Sequence, residues 1–115
     1  MPKVKYFEIP AKDPKKMLKF YSSVFDWKLG PARGKYWFIE GNEKEEGIDG
    51  AIYLSEKMKT VMNTIGVPDI DEFIERIKKN GGKIIVEPEE ERWGWHGYFK
   101  DPEGNVLGVV GPKKK

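Results

Sequence analysis

Two side chains in this sequence could exchange protons with a ligand, and they are Glu8 and His96. Glu8 lies in the run KYFEIP, where strand alternation places Tyr6 and Glu8 on one face and Phe7 and Ile9 on the other. A partly desolvated glutamate has a raised pKa, and it can act as a base or pair with a cationic ligand. The alternative interpretation is a carboxylate at the rim of a site that pairs with a lysine.

His96 is the only histidine of the chain. An imidazole with a pKa of about 6.5 suits proton transfer or metal binding. In the run WGWHGYF, His96 shares a strand face with Tyr98, opposite Trp95 and Phe99. Because no second histidine accompanies it, we expect a hydrogen-bonded structural role or a surface position, and we retain Glu8 and His96 as the two candidate catalytic residues.

Composition excludes several classes of function. The chain has 115 residues, 38% of them apolar, and a net charge of +2 with lysine and glutamate mixed along it, so we expect one globular domain with no nucleic-acid partner. The absence of cysteine excludes disulfides, thiolate metal sites and cysteine nucleophiles. No apolar run approaches the roughly 18 residues of a membrane span and no signal peptide is visible, which predicts a cytoplasmic protein without a membrane partner. High lysine and glutamate without cysteine or glutamine is typical of thermophile proteins.

The first half of the chain predicts the order βαβββ. Residues 4–9 are rich in β-forming side chains, and Asp13-Pro14 supplies a helix N-cap followed by proline at the first helical position. Further strands are expected over residues 35–40 and 51–54, separated by a charged turn over residues 41–49. The apolar face of the predicted helix consists of Met17, Leu18, Tyr21, Val24 and Phe25.

The second half repeats this order. A strand over residues 61–67 precedes a helix that begins after Asp69 and ends at Asn80-Gly81-Gly82, where glycine adopts a left-handed conformation without a Cβ penalty. Strands are expected over residues 83–86, 95–100 and 106–110, with a solvated loop from Glu87 to Arg92. The helix face consists of Ile70, Phe73, Ile74 and Ile77.

A shift of 56 residues superposes Asp13 on Asp69 and Met17 on Phe73. We therefore predict an α+β fold of two tandem βαβββ modules, whose curved mixed sheets form a cup with the helices outside. The modules cover about residues 3–54 and 60–111, with a short joint at 55–59 and a lysine tail at 112–115. We expect the run Lys113 to Lys115 to be a disordered solubilising tail, with a phosphate contact as the alternative. Concave, partly apolar surfaces of this kind are where small ligands bind.

Three stretches in this order resemble the vicinal oxygen chelate superfamily, which includes glyoxalase I, bleomycin resistance proteins and extradiol dioxygenases. They are FEIPAKDPKKMLKFYSSVFDWKL, VPDIDEFIERIKKNGGKI and GYFKDPEGNVLGVV, and together they span nearly the whole chain. In isolation, the DPEGN run is a turn in which Pro102 fixes φ and Gly104 tolerates positive φ. In the superfamily this turn precedes the last strand, which usually supplies a glutamate to a divalent metal ion.

The resemblance implies four metal-ligand positions, on the first and last strand of each module. By residue spacing they fall on Tyr6, Ile52, Met62 and Gly108. Isoleucine and glycine have no side-chain donor, methionine is a soft ligand, and a phenol is mostly protonated at neutral pH. The sequence therefore departs from the family at all four positions, and we predict that the protein has no metal or other cofactor.

The same four positions, together with Glu8, are predicted to line a ligand-binding cup. The aromatic residues Tyr36, Trp37, Phe38, Trp93 and Trp95 favour the core and a dimer contact, but Trp37, Trp95 and Tyr98 are also candidate ligand contacts. The resemblance implies a homodimer that binds or sequesters a small molecule. The alternatives are a glyoxalase-like lyase or isomerase that uses Glu8 or His96, and an interaction protein whose cup is filled by its own side chains.

Overall fold

A computed structural model describes residues 2–41 and 47–114 and shows an α+β fold, as predicted. The middle of the predicted charged turn, residues 42–46, lies outside the described residues. The chain forms two compact units, Tyr6–Met62 and Met1–Lys5 with Asn63–Lys115, hereafter the N-terminal and C-terminal units. In chain order the elements are β1 (Lys3–Ala11), α1 (Pro14–Phe25), β2 (Lys28–Leu29), β3 (Tyr36–Glu40), β4 (Asp49–Leu54), β5 (Met62–Gly66), α2 (Ile70–Lys79), β6 (Lys83–Glu91), β7 (Gly94–Lys100) and β8 (Val106–Gly111).

In the N-terminal unit the strand order is β2-β3-β4-β1. β1 and β4 are parallel, with Glu8 opposite Ala51 and Ile9 opposite Ile52, whereas β3 is antiparallel to β4. Parallel neighbours require a crossover connection, and α1 supplies it. Side chains that are directly opposite each other in a sheet point to the same face, so this register determines the composition of each face.

Helix α1 covers one face of this sheet. It begins at Asp13, whose carboxylate accepts a hydrogen bond from the Lys16 backbone N–H at 3.3 Å. The buried core on this face is Ile9, Ala11 and Ile52, against which the predicted helix residues Met17, Leu18 and Tyr21 pack. Val24 and Phe25 are more than half exposed, at 54% and 57%, so the prediction that they belong to the buried helix face is wrong. The buried face of α1 is narrower than the apolar pattern indicates.

In the C-terminal unit the strand order is β5-β8-β7-β6, with β5 parallel to β8 and the other pairs antiparallel. Asp69 caps α2, as predicted, and Gly81 follows its C-terminus with φ of +94°. The buried core is Val67, Ile70, Ile74 and Val109, packed with Phe73 and Ile77 as the apolar pattern of the helix predicts. In the described part of the chain, neither helix combines the length and the apolar character that a membrane span needs.

Strand β6 is longer than predicted. Residues 87–91 belong to it and not to a solvated loop, because Glu89, Glu90 and Glu91 pair with His96, Trp95 and Gly94 of β7. The register shifts between Ile84 and Val86 and again between Val86 and Glu89. These irregularities are bulges of the kind found on edge strands, and they allow an acidic, largely exposed segment to pair with β7.

The DPEGN turn forms as the sequence predicts. The Asp101 backbone N–H donates to the Asn105 carbonyl and the Gly104 N–H donates to the Asp101 carbonyl, each at 2.9 Å, and Gly104 has φ of +86°. The Asp101 carboxylate accepts hydrogen bonds from the backbone N–H groups of Glu103 and Asn105 at 2.9 Å. The hydrogen bonds from Asn105 are the main cause that lowers the pKa of Asp101. The turn fixes the entry of β8.

The start of the predicted lysine tail is held in place. The Ile70 backbone N–H donates to the Pro112 carbonyl at 2.9 Å, and the Lys113 ammonium lies 4.1 Å from the centroid of the Trp95 ring. The expectation of disorder for Lys113 to Lys115 is therefore wrong for Lys113. A cation over an indole face explains the contact, and Lys115 lies outside the described residues.

Candidate functional site

The buried polar side chains of the described residues are Glu8, Thr64 and His96, with exposures of 1%, 0% and 6%. None of them belongs to the two cores that pack against the helices. By strand alternation, all three lie on the sheet faces opposite α1 and α2. Buried polar and charged residues are uncommon in small domains, and their restriction to these faces marks the faces as candidate sites.

The Glu8 face belongs to the N-terminal unit and is defined by Glu8, Ala51, Tyr53, Tyr36 and Phe38. The register places Ala51 opposite Glu8, and Tyr36 opposite Tyr53. The Tyr36 ring stacks on the Tyr53 ring with centroids 5.7 Å apart and on the Phe38 ring at 5.8 Å. A buried carboxylate therefore shares a rigid strand surface with a row of three stacked aromatic rings.

The pKa of Tyr53 reflects the electrostatic environment of this face. Its burial and then the charge of Glu8 raise the pKa of Tyr53 to about 12, while the Ser55 side chain acts in the opposite direction. The Tyr53 hydroxyl is therefore protonated at neutral pH and can donate a hydrogen bond. The Glu8 face thus combines a buried carboxyl group with a phenol donor.

The His96 face belongs to the C-terminal unit and is defined by Thr64, His96, Tyr98, Gly108 and Val110. Gly108 lies opposite Thr64 of β5 and opposite Tyr98 of β7. The rings of His96 and Tyr98 are 4.8 Å apart and tilted by 55°. The shared face predicted for His96 and Tyr98 is therefore confirmed, but His96 is buried, so a surface position is wrong.

Burial lowers the pKa of His96 to about 4. Desolvation disfavours the charged imidazolium, so His96 is neutral over the physiological pH range. Glu89 of the edge strand β6 is the register partner of His96. The strand pair therefore places an acidic residue directly opposite the histidine. At neutral pH the His96 ring can accept or donate a hydrogen bond, but it carries no charge.

Ile52 is not on the Glu8 face. It is fully buried in the core against α1, and its neighbours Ala51 and Tyr53 point to the other side. The equivalent of Gly108 in the first repeat is Ala51, because Ala51 pairs with Glu8 as Gly108 pairs with Thr64, and 108 minus 51 is 57. The uniform shift of 56 residues misses one residue inserted before β8, and a slip of one residue reverses the face of a strand side chain.

The two tryptophans expected at the ligand also lie on the helix faces. Trp37 is opposite Ile52 in the register, on the side that α1 covers. Trp95 packs against the α2 core and receives Lys113 on its ring. Strand alternation assigns neighbouring aromatic residues to opposite faces, so Trp37 and Trp95 lie on the helix faces, whereas the candidate faces carry the rings of Tyr36, Phe38, Tyr53 and Tyr98.

The residues at the four family positions do not fit a divalent metal ion. Tyr6 is half-buried, Met62 is fully buried, and the corrected positions Ala51 and Gly108 provide no side-chain donor. Over residues 2–41 and 47–114, no three side chains among histidine, aspartate and glutamate come close enough to hold a metal ion. Divalent cations require oxygen or imidazole donors, and this set supplies only a phenol and a thioether.

A cavity of about 690 Å³ in the N-terminal unit lies apart from the buried polar groups. Its lining includes Phe7 and Trp27, which belong to the α1 side of the sheet, and Gly41 and Gly47, which border residues outside the described part of the chain. The Glu8 and His96 faces are better candidates, because they carry the buried polar side chains and the cavity lining includes none of these.

Sequence reasoning missed Thr64. A signal was present, because Thr64 occupies the position of Glu8 in the second repeat, 56 residues later. The structure likewise places Tyr36 and Phe38 in the first repeat where it places His96 and Tyr98 in the second, since Phe38 pairs with Ala51 and Tyr98 with Gly108. The two faces are versions of one layout.

Comparison with known proteins agrees with this architecture. The model of the glyoxalase/bleomycin resistance protein/dioxygenase superfamily matches residues 3–109. A glyoxylase-like domain-containing protein of Didymella fabae is 31% identical over 118 aligned residues, which cover 89% of this chain and 88% of that protein.

Solved structures share the fold at lower identity. A hypothetical protein of Bacillus halodurans C-125 superposes with a TM-score of 0.71 and 22% identity, covering 99% of this chain and 96% of its own. A methylmalonyl-CoA epimerase in complex with methylmalonyl-CoA superposes with a TM-score of 0.70 and 14% identity, covering 99% and 96%. At these identities the likeness concerns the fold alone.

The buried imidazole predicts an acid-dependent loss of stability. Between pH 6.5 and about 4 the unfolded chain binds a proton at residue 96 that the folded protein does not, so stability falls as the pH falls through this interval. We expect a loss of up to about 3 kcal/mol that levels off at lower pH. Urea denaturation across this range should show the loss, and the His96→Gln variant should lack this component. A midpoint near 6.5 for the single histidine in an NMR titration, or equal pH slopes for both proteins, would contradict the assignment.

Proposed function

Since this chain belongs to the glyoxalase/bleomycin resistance protein/dioxygenase superfamily, we propose that it binds a small organic molecule at the Glu8 face without a metal ion. The observation that carries the proposal is the burial of Glu8. A carboxylate that is 1% exposed on a face opposite the hydrophobic core is costly to desolvate, and it contributes nothing to packing against α1. A binding role accounts for its position.

The surroundings of Glu8 favour a cationic ligand group. The stacked rings of Tyr36, Tyr53 and Phe38 offer aromatic faces beside the carboxylate. Aromatic faces attract cations, and a desolvated carboxylate adds charge pairing that is stronger than it would be in water. The protonated Tyr53 hydroxyl can donate to an acceptor on the same ligand. An aromatic or aliphatic amine therefore fits this face best.

Acid–base catalysis is the alternative function. A carboxylate next to a phenol whose pKa is about 12 could remove a proton from a carbon acid while the phenol donates to the developing oxyanion. The similarity in fold to a methylmalonyl-CoA epimerase makes thioesters reasonable test substrates. We favour binding over catalysis. The lyase and dioxygenase reactions of the family depend on a set of metal ligands, and the residues at the four family positions do not supply one.

We also propose that the protein is a homodimer. Phe20, Val24 and Phe25 of α1 are each more than half exposed, and a second copy of the chain that covers them would remove this apolar surface from water. Sedimentation equilibrium should give a mass near twice the 13.3 kDa of the chain. The Phe20→Lys variant should shift the protein towards the monomer, and a mass near one chain for the unchanged protein would contradict the proposal.

The role of Glu8 is tested with benzylamine as a cationic aromatic probe. We expect saturable binding by calorimetry, and at least about a tenfold weaker affinity for Glu8→Gln, because the substitution removes the charge and preserves the shape. Glu56→Gln removes an exposed carboxylate from the same unit and should leave the affinity unchanged. Equal affinities of the two variants for benzylamine would show that Glu8 does not contribute to the binding site.

The proposal also predicts low metal retention. After equilibration with zinc, nickel, manganese and iron, and then extensive dialysis, elemental analysis should find far less than one metal ion per chain. Near-stoichiometric metal would contradict the metal-free proposal and favour an enzyme. In that case turnover of methylmalonyl-CoA and of a glyoxalase substrate should be assayed with Glu8→Gln as the matched variant.

A further inference from the structure

Residues 111–113, hereafter the strap, cross from the sheet of the C-terminal unit to the start of α2. Gly111 ends β8, where it pairs with Trp95 of β7. A side chain at residue 111 would overlap the carbonyl oxygen of Val67, so glycine is required for this close approach. Pro112 has no N–H group and cannot continue the ladder of strand hydrogen bonds. The chain therefore leaves the sheet at this point.

The strap supplies a hydrogen-bond acceptor to α2. The first four N–H groups of a helix have no partner within the helix. Asp69 Oδ1 accepts from the Glu72 N–H at 3.5 Å, whereas the Ile70 N–H donates to the Pro112 carbonyl of the strap at 2.9 Å. Ile70 is fully buried, and a buried N–H group without a partner is costly. The first turn of α2 therefore depends on the strap.

Lys113 holds the outer end of the strap. Its ammonium lies 4.1 Å from the centroid of the Trp95 ring, and this ring packs against the α2 core. Pro112 and Lys113 are both exposed, and the salt bridges of the described residues do not include Lys113. A cation–π contact at an exposed position is weak. Few contacts thus hold the strap, and one of them depends on a charge.

We propose that the strap is a charge-dependent switch on α2, which is closed while Lys113 carries its positive charge and opens when that charge is neutralised. The indole ring attracts a cation through its quadrupole, and the attraction is lost with the charge. Lysine acylation is a modification that makes this change. Opening withdraws the Pro112 carbonyl from Ile70, so the first turn of α2 frays, while the interior of the helix stays packed through Ile74.

The strap is anchored next to the His96 face. Gly111 pairs with Trp95, and the next register pair of the same two strands is Val110 with His96. The Val67 backbone N–H donates to the Val110 carbonyl at 2.8 Å, which holds this end of β8 against the segment that leads into α2. A change of charge at the exposed Lys113 therefore acts on a strand end that lies one residue pair from the buried histidine.

Hydrogen exchange of individual backbone amides, followed by NMR, measures the opening. Lys113→Gln neutralises the side chain, as acylation does. We expect the Ile70 amide of this variant to exchange about twofold to fivefold faster than that of the unchanged protein, which is the factor for the loss of one exposed cation–π contact. The Ile74 amide, in the interior of α2, should exchange at an unchanged rate, because the opening is local.

Three further variants separate the contact from the net charge. Lys114→Gln removes the same charge one residue later and should leave the exchange of Ile70 unchanged. Lys113→Arg keeps a cation that stacks on aromatic faces, so it should retain slow exchange. Trp95→Leu removes the ring, and in that background Lys113→Gln should cause no further acceleration. If Trp95→Leu does not fold, the comparison of Lys113→Gln with Lys113→Arg and Lys114→Gln still tests the contact.

Equal exchange rates of Ile70 in Lys113→Gln and in the unchanged protein would overturn the proposal. The same acceleration in Lys114→Gln would overturn it too, because the cause would then be net charge and not the contact with Trp95. Equal acceleration of Ile70 and Ile74 would indicate global destabilisation in place of a local switch. All these amides belong to the C-terminal unit, so each result leaves the binding proposed for Glu8 intact.

Discussion

The pairing of the first and last strand in each repeat is the constraint on which the candidate sites depend. These strands are parallel, so each repeat needs a helical crossover, and the helix covers one face of its sheet. Glu8 opposite Ala51, and Thr64 opposite Gly108, then determine which residues remain for the other face. A slip of one residue would place Ile52 beside Glu8 and bury Tyr53 against α1. The apolar core fixes the register, and the register fixes the site.

Burying Glu8, Thr64 and His96 works against stability, since desolvation of polar groups is costly. The opposite faces supply the compensating apolar packing, through Ile9 and Ile52 in one unit and Ile70 and Val109 in the other. Because these polar residues lie on paired strands, the register of the sheet fixes the positions of their backbone atoms. Preorganised groups lose little conformational entropy on binding.

Local rules predicted the local structure well. The N-caps at Asp13 and Asp69 and the DPEGN turn depend on short-range hydrogen bonds and φ preferences, and they are present as predicted. Long-range register was the weak point, because one inserted residue in the second repeat is invisible to a uniform shift and exchanges Ala51 for Ile52.

The segment from Glu87 to Glu91 and the aromatic residues show two further limits. Acidic composition favoured a loop for that segment, yet bulges and pairing with β7 make it a strand. Aromatic content alone could not separate Trp37 and Trp95, on the helix faces, from Tyr36 and Tyr98 on the candidate faces. Their assignment follows from which neighbours pair across the sheet, and this information lies outside any single strand.

The environment of Gly108 connects the missing metal ligand with the Thr64–His96 pair. A glutamate at this position would begin with a Cβ atom 2.5 Å from Thr64 Oγ1 and 2.9 Å from His96 Nε2, so the carboxylate could enter only if both side chains moved or were replaced. The metal-ligand position of the family and the Thr64–His96 pair therefore compete for one volume. Because β8 is paired on both sides, with β5 and with β7, its backbone cannot shift to accommodate both. The glycine is thus a steric requirement of the Thr64–His96 arrangement, as well as the absence of a metal-ligand side chain.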